Sequence, residues 1–339
     1  MPERKKPRLV DVAQAAGVSP ATVSRAITQP KLVAEETRER VHAAAARLGY
    51  RPDGMARALA SGRTMTVGAI VPMLDSPIFA RFLQSMQLAL AREGFQLLVA
   101  SHEMSPAAET EAVRTLLARG IDGLVLVGAE RSRETAGLLA GAGVPVVLTW
   151  CGHPADAAVT VDNEKAGALA AEHLIGLGHR RIGMVVGHLA FNDRQNGRLA
   201  GARAAMKRAG LALPDSRVSE QSLTLAGGRA GCAALLDLAE PPTAVIGGID
   251  MIAIGCMLEA QARGLAVPRD LSVAGIDDID MAAHVMPPLT TVHIPTARIG
   301  HKAADLVLGA IAEPGRVEHA DLPIELIVRR SCCRAPDQN

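Results

Sequence analysis

Aromatic side chains are nearly missing: one Trp, one Tyr and four Phe make up 2% of 339 residues. An interior with so few large rings has to rest mostly on Ala, Val, Leu and Ile. Cysteine is sparse and unpatterned. Cys151, Cys232, Cys256, Cys332 and Cys333 are odd in number and show no C-x-x-C spacing, which argues against a disulfide framework or a zinc site and fits a reducing compartment. No apolar run approaches the ~18 residues needed to cross a bilayer. The N-terminal stretch MPERKKPRLVDVAQ has basic residues but no apolar segment behind them, so no membrane association is expected and the cytoplasm is the expected location.

Signatures of catalysis are missing too. G-x-S-x-G, G-x-x-x-x-G-K-[ST] and H-E-x-x-H do not occur, and the ten histidines are dispersed; His173 and His179 stand six apart, off helical ligand spacing. The glycines around GGID (247–250) are wrongly spaced for a dinucleotide fingerprint. Neither an enzyme nor a bound metal or cofactor is therefore expected. The Met-containing stripe IFARFLQSMQLAL (78–90) has helical spacing and reads as core or dimer surface.

What is present is an ordinary globular composition, 49% hydrophobic and 21% charged, in a chain long enough for two or three compact units. Its net charge of +1 hides an asymmetry. Residues 1–66 hold twelve Lys and Arg against six Asp and Glu, leaving 24 against 29 of the chain's 36 and 35 for the remainder. The basic end is where a polyanion would bind, although a solvated charged face is the plainer reading of charge alone.

Residues 11–27, DVAQAAGVSPATVSRAI, encode two short helices. Asp11 reads as the cap of a helix with Val12 and Ala15 or Ala16 on its apolar face, ended by Gly17. Ser19 reads as the next N-cap, with Pro20 at the first helical position and Val23 and Ile27 recurring at i, i+4. The second helix is expected over about Pro20 to Thr28, and a third over Glu35 to Leu48, packing Val41 and Leu48 inward and stopped by Gly49. Helix, short turn and helix form the helix-turn-helix unit, whose second helix enters the major groove of double-stranded DNA. The outward residues of that helix are Pro20, Ala21, Thr22, Ser24 and Arg25. They offer hydroxyls for phosphates, small apolar atoms for a thymine methyl, and a guanidinium for guanine O6 and N7.

The stretch GYRPDGMARALASGRT (49–64) follows at once. In the order DVAQAAGVSPATVSRAI…TRERVHAAAARLGYRPDGMARALASGRTMTVGAIVP, the chain resembles the lactose repressor and purine repressor family of bacterial transcription regulators, over essentially its whole length. The resemblance implies that Pro52 to Leu59, Met55 included, form a hinge helix on DNA, with Leu59 wedged into the minor groove so that a base step unstacks and the duplex bends. Asp53 stands where the family has Asn, placing a negative charge near phosphates, and Gly54 lowers local helix propensity by up to ~1 kcal/mol. Thr28 also stands where Asn is common.

From Thr66 onward the pattern becomes short β-branched runs between helical stretches: TVGAIV, FQLLVA, DGLVLVG, PVVLT, AVTVD, RIGMVVG, AVIGGI and LSVAGID. Near-continuous apolar strands separated by helices mean parallel sheets covered on both faces, here enough for two doubly wound sheets. The expected architecture is an all-α helix-turn-helix domain (1–49), a hinge helix and linker (50–65), and an α/β effector-binding and dimerisation core (66–331). By resemblance the core is of the periplasmic-binding-protein type, with subdomains at 66–161 plus 292–320 and at 162–291 plus 321–331.

Ligands of open α/β sheets bind beyond the carboxyl ends of the strands. In the loop after the first strand, Asp75 and Ser76 read either as ligand contacts or as turn and cap, and Phe79 as a ring to stack on a ligand. Asp162 and Asn163 read as helix caps or, for Asn163, as a ligand contact. The resemblance implies that Arg198, in R-x-x-G, clamps a polar effector and that Asp277, ending VAGID, pairs with its hydroxyls or amines. Asp250 reads as a cap, with Ile249 where the family is often polar. The expected function is an operator-binding repressor, a homodimer and possibly a tetramer, controlled by a small polar effector such as a sugar or sugar acid. The alternative is a solute-binding receptor on the same core. Whether the ligand releases or promotes DNA binding is open.

Overall fold

In a computed structural model of the chain, residues 7–28, 32–50 and 62–336 are described. The chain divides into two compact units, Met1–Thr66 and Val67–Asn339.

In the first unit, α1 (Leu9–Ala16), α2 (Pro20–Thr28) and α3 (Glu35–Leu48) surround a core of three Val (12, 23, 41) and four Ala (13, 16, 26, 44). Each fully buried Val contributes about 1.5–3 kcal/mol, and the Ala methyls let the helices approach closely. Ser19 caps α2, its hydroxyl accepting the Thr22 N–H at 3.1 Å. Gly17 (φ 65°) and Gly49 (φ 68°) end α1 and α3 in the left-handed region. Two expectations are corrected. Asp11 is not the cap of α1: the helix starts two residues earlier, and the Asp11 carboxylate reaches back to accept the Arg8 N–H at 2.7 Å. Leu48 is exposed rather than inward, and Ala45 and Tyr50 pack against the core instead.

The second unit holds two six-stranded sheets. The first contains β1 (Thr66–Val71), β2 (Gln96–Ser101), β3 (Gly123–Val127), β4 (Val146–Trp150), β5 (Ala158–Thr160) and β11 (His319–Asp321), in the order β11-β5-β4-β3-β1-β2. The second contains β6 (Ile182–Gly187), β7 (Val218–Gln221), β8 (Ala244–Gly247), β9 (Ser272–Asp277), β10 (Thr290–His293) and β12 (Glu325–Ile327), in the order β12-β10-β9-β8-β6-β7. Its neighbours pair in parallel except β12, which runs antiparallel to β10. The eight apolar runs are all strands. β7, β10, β11 and β12 lie outside those runs; β5 and β8 are as short, but these four are too polar to carry an apolar signal.

Helices α4 (Pro77–Arg92), α5 (Pro106–Ala118), α6 (Arg133–Ala140) and α12 (Thr296–Ala312) belong with the first sheet. Helices α7 (Asn163–Gly176), α8 (Asp193–Arg208), α9 (Leu225–Leu236) and α10 (Asp250–Ala262) belong with the second, and the short α11 (Asp280–His284) follows β9. The chain passes between the two lobes at 161–162, 294–295 and 322–324. The last two passages lie slightly beyond the expected boundaries, because His293 still pairs with Asp277 and Asp321 with Thr160.

Helices α7 and α8 touch backbone to backbone. A Cβ on Gly201 would lie 1.8 Å from the Glu164 carbonyl oxygen, and one on Gly167 the same distance from that of Arg198. The glycine of R-x-x-G is thus a packing requirement that sets where Arg198 sits. Gly201→Ala should lower stability by at least about 1–3 kcal/mol, the usual cost of overpacking. Gly137→Ala, where a Cβ meets nothing within 4 Å, should raise it by up to about 1 kcal/mol. Urea unfolding of both variants checks the pair, and equal effects would refute the packing account.

Candidate functional site

Loops and helix starts beyond the carboxyl ends of strands from both sheets line one narrow cavity. Pro72, Ser76 and Phe79 come from the β1–α4 segment and Trp150 from the end of β4. Asn192, Arg194, Gln195 and Arg198 come from α8 and its cap, and Ile249 follows β8. Two strand ends near the cleft, Trp150 (φ 65°) and Asp277 (φ 129°), lie in backbone regions that cost non-glycine residues about 1–3 kcal/mol and that cluster at functional sites.

Arg198 is 2% exposed and reaches three elements at once. Nε donates to Asn163 Oδ1 at 3.2 Å, Nη1 to the Gly248 carbonyl at 2.6 Å, and Nη2 lies 3.1 Å from Asp277 Oδ1. The Asp277 contact is an ion pair outside good hydrogen-bond alignment. Burial raises the Asp277 carboxyl above its ordinary range despite the Arg198 charge beside it. Asn163 is committed on its other side, donating to the Trp150 and Val161 carbonyls, each at 3.3 Å. Asn163 does not line the cavity; its amide holds the guanidinium against the first lobe.

Asp162 caps α7, accepting the Lys165 N–H at 2.8 Å. Asp250 does not cap α10. Fully buried, it accepts the Ile279 N–H at 2.9 Å and the Thr291 hydroxyl at 2.5 Å, tying the β9–α11 turn to β10. Burial, followed by the charge of Asp277, pushes its carboxyl up to about 7. Ser76 lines the cavity at the N-cap of α4, with no cap hydrogen bond from its hydroxyl. Phe79 is 4% exposed and packs edge-on against Trp150 at 5.4 Å, a ring committed to the wall. Asp75 is exposed and does not line the cavity. Asp277 lines a different space of about 670 Å³ beside the 294–295 passage. The structure thus brings Ser76, Phe79 and Arg198 to one cavity, sets Asn163 and Asp277 behind the arginine, and leaves Asp75 outside.

Sequence reasoning missed Trp150, Arg194 and Asp193. Trp150 Nε1 is buried with no partner among the described residues. Asp193 spans the lobes: from α8 its Oδ2 accepts the Ala129 N–H at 2.6 Å and the Glu130 N–H at 3.2 Å, while Oδ1 holds Arg194 Nη1 at 3.0 Å. The N-D-R run before R-x-x-G was visible, but nothing local says which side chain crosses to another domain. Burial pushes the Cys151 thiol up to about 12, so it holds no thiolate at neutral pH. Among the described residues, no group of three or more His, Cys, Asp or Glu could hold a metal ion, and no helix is long and apolar enough to cross a membrane.

On α2, Pro20, Ala21 and Arg25 are exposed and Thr22 and Ser24 half-buried. The Thr22 hydroxyl is already 2.9 Å from that of Ser19. Met55 and Leu59, with the rest of the expected hinge helix, lie outside the described residues.

Residues 8–53 match the bacterial regulatory proteins of the lacI family, and residues 171–332 match the periplasmic binding protein-like domain. The chain is 33% identical to the HTH-type transcriptional repressor PurR of Haemophilus influenzae, over 95% of this chain and 97% of that one. It is 34% identical to the ribose operon repressor of Haemophilus influenzae, over 90% and 92%. Among solved structures it is similar to the lac repressor dimer bound to operator and the anti-inducer ONPF (TM-score 0.86, 27% identity, 97% of this chain and 100% of that one). It is also similar to a transcriptional regulator CelR–cellobiose complex (TM-score 0.73, 31% identity, 96% and 100%).

Two outcomes follow from the buried charges. Arg198→Ala leaves Asp277 buried and unpaired and should cost about 3–5 kcal/mol, so a melting temperature little changed would show that the ion pair is not structural. Asp250 titrates near 7 when folded and near 3.8 when unfolded. The folded state therefore binds more protons between those values, and the stability this group contributes is complete below about pH 4 and lost as pH rises through about 7. Asp250→Asn should flatten that fall; urea unfolding at pH 5 and pH 8 should show a smaller difference than in the wild type.

Proposed function

Because the chain belongs to the lacI family of bacterial regulatory proteins, we propose that it is a cytoplasmic transcriptional repressor whose grip on an operator is set by a small polar effector in the interlobe cleft. A sugar or sugar acid suits that cleft. The observation that carries this reading is the presence in one chain of a compact three-helix unit with Arg25 on the outward face of α2, and a cleft lined by residues from both lobes of the second unit, Arg194 and Arg198 among apolar side chains. The names of the relatives support it: two are repressors, one is seen as a dimer on operator DNA, and one is complexed with cellobiose. A solute-binding receptor would have no use for the helix-turn-helix unit. A homodimer on a pseudo-palindromic operator is the matching assembly, since two-fold protein symmetry mirrors two half-sites.

The effector acts by preferring one arrangement of the lobes. A ligand that binds the DNA-incompetent arrangement ~100-fold more tightly shifts the equilibrium by about 2.7 kcal/mol per site. Because Arg198 is structural as well as polar, Ser76→Ala and Arg194→Ala are the cleaner variants for weakening an effector without unfolding its site.

Duplex binding should weaken steeply with salt, as phosphate contacts require. Arg25→Ala should weaken operator binding by about 1–3 kcal/mol and relax choice at one base pair, while binding to random duplex changes little. Fluorescence anisotropy on operator variants recovered from genomic binding sites measures both. An equal loss on random DNA makes Arg25 a phosphate contact, and no duplex binding at all refutes the regulator reading.

A further inference from the structure

Among the described residues, the hydrogen bonds that cross between the lobes come from two side chains. Those of Asn163 lie beside the 161–162 passage, where the chain itself holds the lobes together. Those of Asp193 lie far along the chain from every passage and join the start of α8 to residues 129 and 130 of the first lobe. Lobes that swing apart about the passages must break them.

The first-lobe partner is shaped to receive a carboxylate. After β3, Gly128 at φ 79° turns the chain so that the successive N–H groups of Ala129 and Glu130 both donate to Asp193 Oδ2, at 2.6 and 3.2 Å. Successive N–H groups that converge in this way form an anion-binding nest. The nest is pinned from behind. Arg131 bends back to donate from Nη2 to the Gly128 carbonyl at 2.5 Å and from Nε to that of Ala129 at 3.3 Å, while the Gly128 N–H donates to the Thr149 carbonyl on β4 at 2.8 Å. With those carbonyls taken, the N–H groups are left to the carboxylate. Glycine is required at 128 for space as well as for its backbone: a Cβ there would lie 2.9 Å from Asp193 Oδ1 and nearer still to Arg194 Nη1.

The contact is strong yet able to open. Hydrogen bonds to a charged acceptor exceed neutral ones, and Oδ1 takes two more from Arg194, its N–H at 2.9 Å and Nη1 at 3.0 Å. The Asp193 side chain nevertheless keeps 21% of its exposure, against 2% for Arg198, so water can replace the nest as the lobes part. Arg194 lines the cavity, which places a ligand that shifts its guanidinium in direct contact with the partner of Oδ1.

We infer that Asp193 and the 128–130 nest form a latch that holds the lobes in this arrangement and thereby sets the grip on operator when no effector is bound. The operator half of the inference rests on the regulator reading. The lobe half stands on the geometry alone.

The test compares the full chain with Asp193→Ala, Asp193→Asn and, from the opposite lobe, Gly128→Ala. The Asn variant keeps the shape of the side chain but offers one acceptor oxygen in place of two, so either the nest or Arg194 loses its partner. The only Trp of the sequence, Trp150, is fully buried on the cavity wall and reports opening. Its acrylamide quenching should rise at least about twofold in each variant. Amide hydrogen exchange should rise along the cleft walls at 72–79 and 248–250, segments hydrogen-bonded to neither Asp193 nor the nest. Effector-free operator affinity should move by at least about tenfold, in the same direction in all three. Gly128→Ala added to Asp193→Ala should change little further, because one contact cannot be broken twice. Unchanged quenching, faster exchange confined to 128–131 and 193–195, or additive effects in the double variant overturn the latch. Unchanged operator affinity, where the unsubstituted chain binds duplex, overturns its control of the operator. If the unsubstituted chain binds no duplex, the regulator reading fails, and quenching and exchange still decide the latch.

Discussion

The buried guanidinium of Arg198 is the constraint on which the second unit depends. Taking a charge out of water costs several kcal/mol per ion even after relaxation. The cost is tolerated here because each nitrogen has a defined place to go: Asn163 on α7, the Gly248 carbonyl after β8, and Asp277 at the end of β9. Meeting all three fixes α8 against α7 and against the sheet, which is why Gly167 and Gly201 leave no room for a Cβ. Asn163 extends the same constraint into the first lobe through the carbonyls of Trp150 and Val161.

The lobes are joined by three chain passages and by side chains that cross the cleft. Asp193 accepts backbone N–H groups of the first lobe while holding Arg194 at the cavity wall. A ligand filling that wall touches residues of both lobes, so its binding energy depends on their separation. That dependence is the physical requirement for an effector to bias one arrangement over another. The aromatic scarcity of the chain sharpens the picture. Phe79 and Phe82 pack edge-on against Trp150, and Phe191 lines the same cleft, so four of six aromatic residues are concentrated where the cleft is formed.

Much of the fold was legible because the signals are local. The bounds of α2 and α3 follow from Ser19, Pro20 and Gly49, residues whose capping chemistry acts within one turn. Eight strands follow from near-continuous apolar runs. Asp11 reads as a cap yet sits three positions into α1, because the same residue type serves in both places and only the backbone decides which. Periodicity points Leu48 inward, but it is exposed, and Tyr50 just past the Gly49 stop packs against the core instead. β7, β10, β11 and β12 are polar, and tertiary pairing rather than propensity makes them strands.

Capping, periodicity and strand composition are properties of neighbouring residues, and they set the class of each unit and the positions of most elements before any packing is known. What the side chains do was settled by how distant segments fold together. Asn163 holds Arg198, Asp277 lies behind the arginine, Asp250 ties a turn to β10, and Glu109, His102 and Arg131 converge from three separate loops and helices on one cavity. Burial and pairing of a charged group depend on which distant segments fold against it, and no short-range pattern records that distance.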